Sequence, residues 1–144
     1  MELDAVWHTV ILVTALAGLA NSAVFSAMMY GWLAVESPLV TRVCRLDAED
    51  CRKVISSPRA RLFGVPNSVL GMLWYVLAAL ASGSALATGS LPLRPALIAI
   101  SFLTVLVGIF LIWSLRVRLK VHCWFCYAGH AVNFIIFAGL LAAR

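Results

Sequence analysis

The stretch LRPALIAISFLTVLVGIFLIWSL, residues 93–115, decides the fold of this chain. Only Arg94, at its edge, is charged, and a helix needs about 20 apolar residues to cross a bilayer. Three further apolar runs of similar length, residues 6–30, 65–87 and 123–143, contain no Asp, Glu, Lys or Arg. The sequence therefore predicts an all-α integral membrane protein, a bundle of four transmembrane helices.

The composition supports this class, because 63% of the 144 residues are hydrophobic and only 12% are charged. Four helices leave room for one bundle, so we expect a single membrane domain over residues 1–144, with a polar loop at 31–64. The first residues, Met-Glu-Leu-Asp, are acidic, and the apolar run after them is too long for a signal peptide. The first segment is therefore expected to remain as a helix.

The net charge of +5 is unevenly distributed. If all four helices cross, the loops after the first and third helices share one face. Nine basic residues lie on that face: Arg42, Arg45, Arg52, Lys53, Arg59, Arg61, Arg116, Arg118 and Lys120. The opposite face keeps Arg94 and Arg144. The positive-inside rule then places the first face in the cytoplasm, although disulfide chemistry is commoner in oxidising compartments, which leaves an extracytoplasmic location as the alternative.

Four cysteines lie on that same face. Cys123 and Cys126 form a CxxC motif at the start of the fourth helix, and Cys44 and Cys51 lie in the long loop. Residues three apart share a helical face, so the CxxC sulfurs can form a disulfide, and a helix N-terminus lowers a thiol pKa. Two such pairs suit an electron relay between a soluble dithiol and an acceptor dissolved in the membrane. We therefore predict a membrane redox enzyme.

Two other interpretations use the same cysteines. Four thiolates can bind zinc or copper, which would make the chain a metal-binding or metal-transporting membrane protein. The six residues between Cys44 and Cys51 differ from the close spacing of a zinc ribbon. The third interpretation is a structural membrane subunit whose cysteines are replaceable.

The long loop carries signals for short elements. Residues 47–50, Asp-Ala-Glu-Asp, predict a helix that Cys51 opens and Asp50 caps. The sequence Ser-Ser-Pro at 56–58 predicts its end, because a residue before proline avoids the helical conformation. Pro66 is predicted to lie in the first turn of the second membrane helix.

The first membrane helix has two features of its own. Gly18, Ser22 and Ser26 form a stripe of small residues, which predicts close contact with a second helix. Asn21, a polar residue in an apolar helix, is expected to form a hydrogen bond across the bundle.

The order of these features resembles the vitamin K epoxide reductase family. The resemblance rests on four helices, a cysteine pair in the first loop and a CxxC that opens the fourth helix. The runs CRKVISS (51–57) and FGVPNSVLG (63–71) are similar to the family's signature between the loop and the second helix. The resemblance covers nearly the whole chain. The other bacterial type of quinone-linked disulfide-forming enzyme has the two cysteine pairs in the reverse order.

The resemblance implies a role for each cysteine. Cys126 would face a quinone of menaquinone or ubiquinone type and donate electrons to it, and no metal is expected. Cys123 would be its disulfide partner and the sulfur that Cys51 attacks. Cys44 would exchange with a thioredoxin-like protein, expected to be a separate chain because no such domain is found in these residues.

The resemblance also implies a quinone site. Ser57 and Asn67 match positions that shape it and form hydrogen bonds to the quinone, where an amide N–H would stabilise developing negative charge. Trp74 and Tyr75 could line the ring pocket or could pack in the bundle core.

His130 lies four residues after Cys126, on the same helical face, where the animal enzymes have a tyrosine. It could donate a hydrogen bond or a proton to the second carbonyl, or it could bond another helix. This difference favours an ordinary respiratory quinone over vitamin K epoxide.

Overall fold

The computed structural model describes residues 2–45 and 47–143, and the side chains of Val43 and Cys44 lie outside the described part, as does Arg144. In chain order the elements are α1 (Glu2–Met29), α2 (Pro38–Cys44), α3 (Ala48–Ser56), a 3-10 turn (Pro58–Ala60), β1 (Arg61–Leu62), β2 (Val65–Pro66), α4 (Asn67–Thr88), α5 (Arg94–Ser114), a π-helical turn (Leu115–Leu119) and α6 (Trp124–Ala142).

Four of these helices are long and apolar enough to cross a membrane: α1, α4, α5 with its π-helical turn, and α6. The predicted bundle of four transmembrane helices is confirmed, and the chain is a multi-pass membrane protein. The first helix begins earlier than its apolar run, because Glu2 and Asp4 lie in its first turn, where acidic side chains are favourable. That the whole chain is one membrane domain stays a prediction.

Helix α1 packs against α4 and α6, while α5 packs against α6. The predicted small-residue stripe is confirmed. Gly18 faces the ring of Tyr75, and the Ser26 and Ser68 hydroxyls are 2.9 Å apart. Among the described helices, α4 and α5 are not closely packed against each other, so the bundle is open between them.

The loop contains two short helices. In α2, Ser37 Oγ accepts the Val40 N–H at 3.3 Å. In α3, Asp47 Oδ1 accepts the Asp50 N–H at 2.8 Å. The prediction that Asp50 caps this helix and Cys51 opens it was therefore wrong, because the Asp50 N–H is itself one of the donors that the cap satisfies. Cys51 lies one turn inside α3, which ends at Ser56 as predicted.

A short β-hairpin with a two-residue turn joins the loop to α4. Strands β1 and β2 are antiparallel, with Leu62 opposite Val65. Phe63 and Gly64 between them both have positive φ, at 52° and 83°, which is the geometry of a type I′ turn. Pro66 is the N-cap of α4, so the prediction that it lies in the first turn was wrong by one position, since the helix begins at Asn67.

Candidate functional site

Cys123 caps the N-terminus of α6. Its side chain is 1% exposed, and its Sγ accepts the Cys126 N–H at 3.2 Å. A hydrogen bond from the Cys126 thiol is the largest cause of a lowered pKa at Cys123. Burial opposes it, and the backbone N–H groups of Cys126 and Phe125 add to it. The Cys126 thiol and the N–H groups of the helix terminus together stabilise a thiolate at Cys123, as the CxxC position predicts.

Cys51 lies next to this motif. Its side chain on α3 is 2% exposed, and its thiol donates to Met28 Sδ at 3.8 Å. Negative charge on Cys51 raises the pKa of Cys123, so the two sulfurs are electrostatic neighbours. The structure therefore brings together three of the predicted cysteines. Cys44 ends α2, and its side chain lies outside the described part.

A cavity of about 350 Å³ lies at the cysteine end of the bundle, where α4 and α5 stand apart. Its wall is mainly apolar, and α3 contributes Val54 and Ile55 to it. Six of the residues predicted from the sequence line it: Ser57, Asn67, Trp74, Tyr75, Cys126 and His130. Of the cysteines whose side chains the structure describes, Cys126 alone borders this space. The volume falls within the range of small-molecule sites.

Ser57 and Asn67 each keep a hydrogen-bond donor. Ser57 Oγ accepts the Arg59 N–H at 3.3 Å, which leaves the Ser57 hydroxyl hydrogen for another acceptor. Asn67 Nδ2 donates to the Arg59 carbonyl oxygen at 2.7 Å, which leaves its second N–H. Tyr75 differs, because its hydroxyl donates to the Gly129 carbonyl oxygen at 3.2 Å. The contribution of Tyr75 to the cavity is therefore its ring.

His130 lies one turn beyond Cys126 on α6 and against the backbone of α5. A Cβ atom on Gly108 would be 2.9 Å from His130 Nδ1, so a larger residue at position 108 would displace the imidazole. Within the described part of the chain, His130 Nδ1 is buried and has no hydrogen-bond partner.

The polar residues of the cavity wall that the sequence interpretation missed include Asn21, Ser114 and Asn133. The predicted cross-bundle bond of Asn21 is confirmed, since its Nδ2 donates to the Phe125 carbonyl oxygen at 3.2 Å. Asn133 is seven residues after Cys126, on the same helical face, and that spacing could have identified it. Asn21 and Ser114 reach the cavity through tertiary packing, for which their own segments carry no signal.

Five cavity-lining residues each have one buried polar atom that lacks a hydrogen-bond partner among the described residues. These atoms are Asn21 Oδ1, Trp74 Nε1, Ser114 Oγ, His130 Nδ1 and Asn133 Oδ1. Buried polar atoms are normally paired. An apolar cavity with a few such atoms therefore fits a flat apolar ring that carries polar groups.

The described part of the chain contains no group of three or more His, Cys, Asp or Glu side chains that could hold a metal ion. The four-cysteine metal site includes Cys44, whose side chain is not described. That alternative therefore stays a hypothesis.

A CxxC motif with one sulfur at an apolar cavity, a third cysteine buried beside it and a four-helix membrane bundle together define a membrane thiol–disulfide oxidoreductase. The family model described as Vitamin K epoxide reductase family matches residues 9–141, and the chain belongs to that family. In the comparison with curated proteins, no single relative matched the chain. The resemblance inferred from the cysteine order is confirmed.

Proposed function

We propose that this protein oxidises the dithiol of a separate thioredoxin-like partner and reduces a membrane quinone of menaquinone or ubiquinone type. The observation that carries the proposal is the arrangement of three sulfurs. Cys126 borders the apolar cavity, Cys123 is buried behind it, and Cys51 adjoins Cys123. Electrons that arrive at Cys51 can therefore reach the cavity by one thiol–disulfide exchange.

The relay begins with a disulfide between Cys44 and Cys51. A thiolate of the partner attacks Cys44 Sγ, and Cys51 leaves with the electron pair of the broken S–S bond. The second thiol of the partner then displaces Cys44. The partner leaves as a disulfide, and the loop pair is reduced.

The second exchange passes the electrons to the CxxC motif. The Cys51 thiolate attacks Cys123 Sγ in the Cys123–Cys126 disulfide, and Cys126 leaves as a thiolate at the cavity. Cys44 then attacks Cys51, which re-forms the loop disulfide and expels Cys123. Once Cys126 has taken up a proton, its thiol and the N–H groups of Cys126 and Phe125 stabilise the departing Cys123 thiolate.

The reduced CxxC pair supplies two electrons and two protons to the quinone, and the Cys123–Cys126 disulfide forms again. The net reaction converts a partner dithiol and a quinone into a partner disulfide and a hydroquinone. Ser57 and Asn67 keep hydrogen-bond donors for a carbonyl oxygen, and His130 supplies a second polar position one turn from Cys126. Such donors stabilise negative charge as it develops on oxygen.

The order of the relay is tested by Cys51→Ala. This variant should not oxidise a reduced thioredoxin-like donor, yet it should still reduce quinone when a small dithiol reduces the CxxC pair directly. Ser101→Ala is the control, because Ser101 is fully buried but does not line the cavity. Full turnover of Cys51→Ala with the protein donor would refute the order.

We also propose that the cysteine face lies in the cytoplasm, and the nine basic residues on that face support this orientation. Trp32→Cys and Leu93→Cys test this orientation. Trp32 lies before α2 and is 81% exposed, and Leu93 lies in the α4–α5 turn and is 78% exposed. The two positions are at opposite ends of the bundle. An impermeant maleimide applied to intact cells should modify the Leu93 variant only. Modification of the Trp32 variant instead would place the cysteine face outside.

A further inference from the structure

Two asparagines of the cavity wall have amide groups with polar neighbours. Asn21 Nδ2 donates to the Phe125 carbonyl oxygen at 3.2 Å. The same nitrogen lies so close to Gly129 that a Cβ there would be 2.8 Å away. The amide of Asn133, on α6, lies beside the Tyr75 hydroxyl. The nitrogen of the Asn21 amide is therefore engaged by the protein, and the Asn133 amide has a polar neighbour.

The oxygens of the same two amides have no such partner. In the described part of the chain, Asn21 Oδ1 and Asn133 Oδ1 are buried without a hydrogen bond. A buried acceptor without a donor is unfavourable. Because the Asn21 nitrogen is engaged, a flip of that amide would lose one hydrogen bond to gain another. The space that both side chains border is the cavity, so a ligand there can supply the missing donors.

We infer that Asn21 and Asn133 make the cavity selective for the oxidation state of its ligand, with the hydroquinone bound more tightly than the quinone. This inference rests on the proposed function. The two oxygens of a quinone only accept hydrogen bonds. Reduction adds two electrons and two protons, and each oxygen then carries an O–H that donates and still accepts.

The hydrogen-bond donors of the wall serve both forms of the ligand, whereas the two asparagine oxygens gain a partner only from the reduced form. The hydroquinone therefore satisfies two protein atoms that the quinone leaves unpaired. Interactions that strengthen as the reaction proceeds favour electron transfer out of the CxxC pair. The same interactions slow release of the hydroquinone.

The test measures anaerobic binding of quinone and hydroquinone to the full-length protein in lipid nanodiscs, monitored by quenching of tryptophan fluorescence. The protein carries Cys123→Ser, which prevents the CxxC disulfide so that neither ligand form is consumed, and Cys123 does not line the cavity. The probes are 2,3-dimethyl-1,4-naphthoquinone, whose substituted ring carbons resist addition of the free Cys126 thiol, its hydroquinone and the dimethyl ether of that hydroquinone. The hydroquinone should bind at least about tenfold more tightly than the quinone, since two net hydrogen bonds of several-fold each multiply to that factor.

The ether cannot donate, so it should bind no better than the quinone. Asn21→Leu and Asn133→Leu, each in the same background, should each lower the preference for the hydroquinone several-fold. Thr104→Val is the matched control. Thr104 lines the cavity, but its hydroxyl donates to the Ser101 carbonyl oxygen at 2.7 Å, so its loss should leave the preference unchanged.

Equal affinity for quinone and hydroquinone would overturn the inference and leave the proposed function standing, because both forms would bind. A preference that survives in folded asparagine variants would overturn the assignment to these residues. Binding of neither form would count against the proposed function itself. If an asparagine variant fails to fold, the comparison of hydroquinone and ether decides alone.

Discussion

Gly18→Ala should destabilise the bundle at its closest helix contact. A Cβ atom on Gly18 would lie 2.6 Å from two ring atoms of Tyr75 and 2.8 Å from a third. Ordinary contacts between such atoms are about 3.5–4.0 Å, so the ring must move by roughly 1 Å. The Tyr75 hydroxyl donates to the Gly129 carbonyl oxygen at 3.2 Å, and a shift of this size breaks that bond.

The expected loss of stability follows from these contacts. Overpacking of a close-packed site costs about 1–3 kcal/mol, and a net hydrogen bond contributes about 1 kcal/mol. The higher helix propensity of alanine offsets up to about 1 kcal/mol. We therefore expect Gly18→Ala to lower the free energy of unfolding by about 2 kcal/mol.

The measurement is denaturant unfolding of the purified protein in mixed micelles. Gly83→Ala is the control, because a Cβ on Gly83 of α4 has nothing within 4 Å among the described atoms. That variant should be neutral or slightly stabilising. Equal stability of the two variants would refute the inferred packing of Tyr75 against α1.

Three further changes test the region around the cysteines. Asp47→Ala removes the cap of α3 at a cost of about 1 kcal/mol, so amide hydrogen exchange in α3 should become faster. Unchanged exchange would show that the cap does not stabilise α3. Cys51→Ser removes the negative charge that raises the pKa of Cys123. During acidification, the thiolate absorbance of Cys123 should therefore disappear at a lower pH in the variant than in the wild type. An unshifted titration would contradict this. Gly108→Ala displaces the His130 imidazole and should raise the KM for quinone several-fold while the protein stays folded; an unchanged KM would separate His130 from the site.

The membrane helices could be predicted from the sequence because each one needs about 20 apolar residues, and the chain has four such runs. Their ends were less certain. Hydropathy marks the part of a helix that suits lipid, whereas backbone hydrogen bonding continues into polar turns such as the one at Glu2. Within the loop, the acidic run before Cys51 predicted a helix, but Asp47 and Asp50 are equivalent in propensity. Only the geometry selects Asp47 as the cap.

The cavity could be predicted in part. His130 was identified because helical spacing relates it to Cys126, whereas Ser57 and Asn67 were identified through the family resemblance. The gap between α4 and α5 depends on which helices pack together, which no single segment encodes. Asn21 illustrates the limit, since its polarity predicted a bond to another helix, whereas its place in the cavity wall depends on the backbone of Gly129 across the bundle.

The most direct test of the central claim is the quinone absorbance during turnover with a reduced thioredoxin-like donor, compared between the wild type and Cys126→Ser. If electrons reach the quinone from the sulfur at the cavity, the wild type consumes quinone and the variant does not. Quinone consumption by Cys126→Ser at the wild-type rate would contradict the assignment of Cys126.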